Sequence, residues 1–246
     1  MPDSRPEPSG VQAMAPGRRR DSITLVLGGL FASFGLSSLV VVLFYLLGHP
    51  GGTIVLLISS EIGLWIGFIF TCRLISTRYG SGNLRRDFNL RFRWYDLLIG
   101  LIGAIVGRLI AALVVSPFSS GQSSTNPDQL FGLSTNSILN WAVLTLLVCV
   151  GAPFFEELFF RGLLQGELVA RFGPWVAVPL TALTFGAAHI FNAPGFDGVI
   201  YAISISGGGL VLGLVYLRFH RLGASMATHV FFNAMALAAL ATATIR

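Results

Sequence analysis

The chain has 246 residues, of which 54% are hydrophobic and only 11% are charged. Its mean hydropathy of +0.75 excludes an ordinary soluble globular domain. A formal charge of +5 does not indicate a nucleic-acid-binding protein, because the basic residues stand in short groups between apolar stretches and form no face interleaved with aromatic residues. The expected partner is therefore the lipid bilayer and not nucleic acid.

Residues 1–22 differ in kind from the rest. They are rich in proline, contain Arg18, Arg19 and Arg20, and show no apolar periodicity, which predicts a disordered tail. The next stretch, Ile23 to Leu47, is too long for the core of a cleaved signal peptide and is expected to stay as a signal anchor. Residues 23–246 are predicted to form one transmembrane domain.

Runs of about 18 to 25 apolar residues are long enough to cross a bilayer as helices. These runs lack the alternation of a transmembrane barrel, so they predict an all-α polytopic transmembrane helical bundle of about seven to eight membrane helices. The predicted spans are Ile23–Leu47, Thr53–Leu74, Leu97–Val115, Ile138 to about Leu168, Trp175–Phe191, Val199–Phe219 and Ala224–Ala243.

The arginines orient these spans. The connections near Gly48–Gly52, Ser119–Asn136 and Asn192–Gly198 contain no arginine or lysine. By the positive-inside rule the opposite side is cytoplasmic and carries the N-terminus. Arginine without lysine is typical of a GC-rich coding sequence, so the inner or plasma membrane of a bacterial cell is expected. The arginines of the cytoplasmic side are Arg18 to Arg20, Arg78, Arg85, Arg86, Arg91, Arg93, Arg171, Arg218 and Arg221.

Small residues suggest where helices pack closely. Pairs of glycines four positions apart share a helical face, and such pairs favour close helix packing. Cys72 and Cys149 lie in apolar runs without disulfide or metal-ligand spacing, and they are interpreted as small buried hydrophobes. The glycine pairs are Gly103 with Gly107, Gly162 with Gly166, and Gly209 with Gly213.

Several ionisable or polar side chains interrupt the spans, and each costs a few kcal/mol unless it is paired or faces water. Glu61 and Arg108 on the second and third spans are expected to form an interhelical ion pair or a polar contact that fixes packing. The other residues of this kind are Glu156, Glu157, Arg161, His189, His229 and Asn233.

The fourth span carries two adjacent acids. Glu157 and Arg161 are four residues apart in the order that favours a helical ion pair, so each is expected to partner the other. Glu156 projects about 100 degrees away. It has no local cation, and an acid in apolar surroundings suits general acid or base chemistry near neutral pH. Pro153, one turn earlier, removes a backbone donor and is expected to open the helix.

The fifth and seventh spans supply the remaining polar groups. His189 follows Phe185 by four residues, and Asn233 follows His229 by the same spacing, so His229 and Asn233 can direct donors at one point, as an oxyanion requires. A single shared, water-filled site accounts for all these burials. At about 1.5 Å per residue, however, His189 lies much further from the start of its span than His229 does. We therefore expect the fifth span to tilt or to begin at depth, with Asn192–Gly198 buried in protein or lining a wet cavity.

This ordered set resembles the CPBP intramembrane proteases, a family named for CAAX prenyl proteases and bacteriocin-processing, Abi-like enzymes. Glu156-Glu157-x-x-x-Arg161, Phe185-x-x-x-His189 and His229-x-x-x-Asn233 carry the resemblance, which covers residues 138–240. It implies an intramembrane endopeptidase in which Glu156 and His189 activate water while His229 and Asn233 stabilise the oxyanion. Glu157, Arg161 and Phe185 would then be supporting residues.

The resemblance leaves alternatives open for the cofactor and for the activity. The family has been described as glutamate-dependent and as metal-dependent, so the cofactor is either none or zinc held by Glu156, His189 and His229. We favour the metal-free form, since no His-Glu-x-x-His helix is present. Expected substrates are membrane-associated proteins or peptides. The alternatives are a proton-coupled membrane transporter and a non-catalytic scaffold or immunity protein of the same fold.

Overall fold

A computed structural model describes residues 18–48, 53–118, 137–190 and 195–244. Within these ranges the chain is helical and contains no strand, which confirms the predicted helical membrane bundle. A short 3-10 turn, Ser116–Phe118, follows the fourth helix. The helices are α1 (Arg18–Leu46), α2 (Thr53–Tyr79), α3 (Leu84–Asp87), α4 (Asp96–Val115), α5 (Ile138–Phe172), α6 (Pro174–Ala187), α7 (Gly195–Phe219) and α8 (Leu222–Thr244).

Six of these helices are long and apolar enough to cross a membrane, one fewer than the seven predicted spans. The difference lies in α6, whose 14 residues extend about 21 Å and fall short of a hydrocarbon core of about 30 Å. Helix α1 begins at Arg18, and residues 1–17 of the predicted tail lie outside the described residues. The same holds for residues 49–52, 119–136 and 191–194, which make up most of the arginine-free connections.

Aromatic stacking joins α2 to α5. The Phe68 ring stacks on Phe159 with centroids 4.4 Å apart, and Trp65 stacks on Phe155 at 4.9 Å. Both partners advance in the same direction along the chain, so the two helices run parallel. A side chain at Gly151 would place its Cβ 2.1 Å from the Trp65 ring, so only glycine admits this tryptophan. The stacking positions α2 beside the acidic segment of α5.

Close packing at glycines is confirmed for most of the predicted pairs. A Cβ at Gly103 would lie 2.8 Å from Thr228, and one at Gly107 would lie 3.2 Å from Phe232, so α4 and α8 approach closely along these positions. Gly209 and Gly213 on α7 likewise meet α5 and α6. Gly166 is the exception, because a Cβ there would meet no atom within 4 Å. The prediction of a packing role for Gly166 is therefore wrong.

Helix α8 begins beside α5 and not at its end. Leu222, the first residue of α8, packs against Gly162 in the middle of α5, with 3.4 Å from its Cδ1 to a Cβ built there. By contrast α6 follows α5 after a single residue, Gly173, whose φ of +76° suits glycine. The short path to His229 therefore begins level with Gly162, about ten residues before α5 ends. The expectation that Asn192–Gly198 is buried in protein or lines a wet cavity stays a prediction, because residues 192–194 lie outside the described residues.

A buried ion pair holds the turn between α7 and α8 against α4. Arg221 donates from Nε to Asp96 Oδ1 at 2.9 Å, and the backbone N–H of Arg93 donates to Asp96 Oδ2 at 2.8 Å. The hydrogen bond with Asp96 raises the pKa of the Arg221 guanidinium above its usual value, so the group stays charged. The Asp96 carboxylate is fully buried. Loss of one partner would leave the other as an unpaired charge.

Replacement of Asp96 by Asn should therefore destabilise the bundle. Because the variant leaves Arg221 without its counter-charge, we expect the free energy of unfolding in detergent to fall by about 3 kcal/mol. Arg218→Gln, which removes an exposed arginine from the end of α7, is the control and should leave it within about 0.5 kcal/mol. Equal stability of the two variants would contradict a structural role for the pair.

Candidate active site

One carboxylate on α5 contacts both an arginine and a histidine. Glu157 Oε1 lies 3.0 Å from Nη1 of Arg161 and 3.0 Å from Nδ1 of His229, and the side chains of Glu157 and Arg161 are fully buried. The pairing of Glu157 with Arg161 agrees with the prediction from their spacing. The contact with His229 was not predicted, because the arginine four residues on already accounted for the acid. A carboxylate only accepts hydrogen bonds, so this contact places a hydrogen on Nδ1 of His229.

The second acid approaches the other nitrogen of the same ring. Glu156 Oε2 lies 3.9 Å from Nε2 of His229, and both residues are buried. Oε2 of Glu156 has no hydrogen-bond partner among the described residues. Adjacent positions on a helix diverge by about 100 degrees, yet both glutamates reach one imidazole because their side chains are long. The polar edge of His229 is thus directed at Glu156.

Phe185 connects the two histidines. Its ring centroid lies 4.9 Å from that of His189 and 5.7 Å from that of His229, and the Arg161 guanidinium lies 4.3 Å from it. The Phe185 carbonyl lies 2.8 Å from Nδ1 of His189 and accepts its hydrogen. The neutral ring then presents Nε2 as an acceptor. Phe185 therefore sets both the spacing of the histidines and the tautomer of His189.

A proline explains where Asn233 binds. Residues Leu147–Gly151 form a π-helical segment with hydrogen bonds between residues five apart, as from the Ala152 N–H to the Leu147 carbonyl. The next donor would be residue 153, but proline has no N–H, so the Val148 carbonyl lacks its helical partner. Asn233 donates to that carbonyl from Nδ2 at 2.7 Å. The predicted opening of the helix at Pro153 is confirmed, and Asn233 fills it.

Two polar side chains from a second π-helical segment, Glu157–Gln165, anchor α5 to α7. Arg161 donates to the Gly209 carbonyl at 3.2 Å, and Gln165 donates to the Gly213 carbonyl at 3.0 Å. A Cβ at Gly213 would lie 2.8 Å from Oε1 of Gln165, so the glycine makes room for this contact. Gln165 was not predicted, although its i+4 spacing from Arg161 places it on the same face.

The other membrane-embedded charges lie outside this cluster. Arg108 donates from Nε to the Phe232 carbonyl at 3.0 Å, and its guanidinium lies 3.9 Å from the centre of the Phe232 ring. Of the two expectations for Arg108, an interhelical ion pair with Glu61 or a polar packing contact, the structure shows the packing contact. Glu61 is partly buried on α2.

The residues fit a metal only in part. His189 and His229 each use Nδ1 on an acceptor, which leaves Nε2 exposed to the site as in many metal-binding histidines. Within the described ranges, however, no group of three His, Cys, Asp or Glu side chains is close enough to hold an ion. The donor types suit zinc and their spacing in this conformation does not.

One protein family matches the part of the chain that contains these side chains. Residues 138–235 match the model of a family described as type II CAAX prenyl endopeptidase Rce1-like. The match confirms the resemblance to CPBP intramembrane proteases, and it spans Glu156, His189, His229 and Asn233. The first four helices, α1 to α4, lie outside it. No significant match to a curated protein or to a solved structure was found.

The contact between Asn233 and Val148 can be tested by a double-mutant cycle. Asn233→Ala should lower the free energy of unfolding by about 1 kcal/mol, because it leaves the Val148 carbonyl without a donor. Pro153→Ala supplies a backbone N–H to the same carbonyl, so in that background Asn233→Ala should cost clearly less. Thermal unfolding in detergent measures both. Strict additivity of the two substitutions would show that they do not share the carbonyl.

Proposed function

We propose that this protein is an intramembrane endopeptidase that hydrolyses peptide bonds of membrane-associated proteins or peptides. The family match supports a protease at the level of the family. The helices long enough to cross a membrane support a site within the bilayer. The proposal for the individual residues depends on the geometry of the two glutamates and the two histidines.

The observation that carries the proposal is the approach of Glu156 to His229. An oxygen atom about 2.8 Å from both Glu156 Oε2 and His229 Nε2 completes a triangle whose third side is their 3.9 Å separation. A water in that position would donate a hydrogen bond to the buried Oε2 of Glu156, the proposed general base. Two buried carboxylates then have distinct roles, since Glu157 is engaged by Arg161 and His229 while Glu156 is free to take a proton.

In the proposed reaction Glu156 removes a proton from the water as its oxygen bonds to the carbonyl carbon of the peptide. The carbonyl electron pair moves to the oxygen and forms a tetrahedral oxyanion. Glu156 then returns the proton to the amide nitrogen as the carbon–nitrogen bond breaks, which leaves a carboxylic acid and an amine. His189, whose Nε2 is an acceptor, would assist in holding the water.

The oxyanion would be stabilised by His229 and Asn233. Because Nδ1 of His229 donates to Glu157, Nε2 can donate to the oxyanion only when the ring is an imidazolium, whose charge would lie against the Glu157 carboxylate. Asn233 uses one of its two amide hydrogens on Val148, and the second would face the oxyanion. Glu157 is thus a positioning residue that acts through His229.

Glu156→Gln should abolish most of the peptidase activity. The amide retains the size of the side chain but cannot accept the proton, so we expect kcat to fall at least about a thousandfold with purified protein and a panel of labelled peptides, some carrying a lipid. The matched control is Glu167→Gln, since Glu167 is equally buried on α5 but hydrogen-bonds Ser22. Undiminished cleavage by Glu156→Gln would refute its role.

The same assay separates the alternatives. Activity that persists in chelator supports the metal-free reaction, whereas loss restored by zinc would replace it with a metal-dependent one. If no peptide of the panel is cleaved by the wild-type protein, the non-catalytic or transporter alternatives take precedence.

Glu157→Gln should lower kcat about a hundredfold with little change in KM. The amide no longer stabilises an imidazolium at His229, which matters only as negative charge develops in the transition state. Steady-state kinetics with one cleaved peptide measures both constants. A raised KM with unchanged kcat would assign Glu157 to substrate binding instead.

A further inference from the structure

The connection between α2 and α4, residues 80–95, carries a basic surface with exposed aromatic rings. Phe92 is 59% exposed and Trp94 is 74% exposed, and each stands directly after an exposed arginine. We call this set the arginine surface. Its members are Arg85, Arg86, Arg91, Phe92, Arg93 and Trp94.

No acidic side chain of the same segment neutralises these arginines at the surface. Residues 80–96, all of which the structure describes, contain two acids, Asp87 and Asp96, and both are buried. Asp87 accepts hydrogen bonds from the Ser76 hydroxyl and from the backbone and hydroxyl of Ser81. Asp96 is paired with Arg221. The negative charges are therefore directed inward and the positive charges outward.

The arginine surface is held in place by the core. Phe88 is fully buried and contacts Gly162 on α5. The backbone N–H groups of Leu222 and Gly223 donate to the Asn89 and Arg91 carbonyls, both at 3.0 Å. The backbone of the segment therefore needs little ordering before a ligand can bind, which lowers the entropic cost of binding.

The position of the segment identifies the ligand. The apolar span of α2 ends at Tyr79 and that of α4 begins at Asp96, so the residues between them lie where hydrocarbon gives way to lipid headgroups. Arginines at this level attract anionic lipids, and tryptophan prefers the same interface. We propose that the arginine surface binds the phosphate groups of anionic lipids in the adjoining leaflet, with Phe92 and Trp94 reaching the acyl chains. An acidic peptide would make no use of these exposed rings.

The proposal can be tested without any measurement of peptidase activity. Full-length protein in detergent is mixed with equal amounts of phosphatidylglycerol and phosphatidylcholine, and native mass spectrometry counts the lipids retained. The wild-type protein should favour phosphatidylglycerol. The double variant Arg91→Gln/Arg93→Gln should lose that preference by roughly tenfold. The control, Arg171→Gln/Arg218→Gln, removes the same charge from the ends of α5 and α7 and should retain it.

Additional arms identify the source of the phosphate and the class of partner. Free glycerol phosphate at the same concentration should not displace the lipid, since it lacks acyl chains, and Trp94→Ser should weaken retention without a change in charge. Equal retention of the two lipids by the wild-type protein would overturn the proposal, as would equal losses in the two double variants. Displacement of the lipid by a soluble acidic peptide would also overturn it, in favour of a protein partner.

Discussion

The shared carboxylate of Glu157 is the interaction on which the rest of the site depends. Burial of an isolated carboxylate in a membrane protein is costly, and here the Arg161 cation on the same helix and the Nδ1–H of His229 on α8 offset that cost. Arg161 in turn reaches the Gly209 carbonyl and the Phe185 ring. The pair of Glu157 and Arg161 therefore links α5 to α6, α7 and α8. The Glu157 carboxylate also orients His229.

Irregular helix geometry provides the second constraint. The π-helical segments on either side of Pro153 disrupt the regular ladder of α5 and leave a carbonyl that Asn233 binds. In hydrocarbon each backbone group must find a partner within the protein, so such a break persists only where another helix supplies one. Asn233 thus contributes to the structure through the same amide that is proposed to serve the reaction.

Small residues determine how closely these helices approach. Gly103 and Gly107 bring α4 against α8, and Gly209 and Gly213 admit Arg161 and Gln165 to the backbone of α7. The resulting contacts are polar and specific, in a setting where apolar packing alone discriminates poorly between helix partners. Gly166 has the same spacing, but a Cβ there would meet no atom within 4 Å. A glycine pair by itself therefore does not identify a helix contact.

The sequence alone determined the helical membrane class, because long apolar runs permit no other backbone arrangement in lipid. It also predicted the pairing of Glu157 with Arg161 and the helix break at Pro153, since both follow from spacing within one helix. Only the tertiary structure revealed that Glu157 binds His229, that Asn233 binds Val148 and that α8 begins beside Gly162. The residues in these contacts are 72, 85 and 60 positions apart in the sequence. Contacts across such separations depend on how the helices pack and not on any local periodicity.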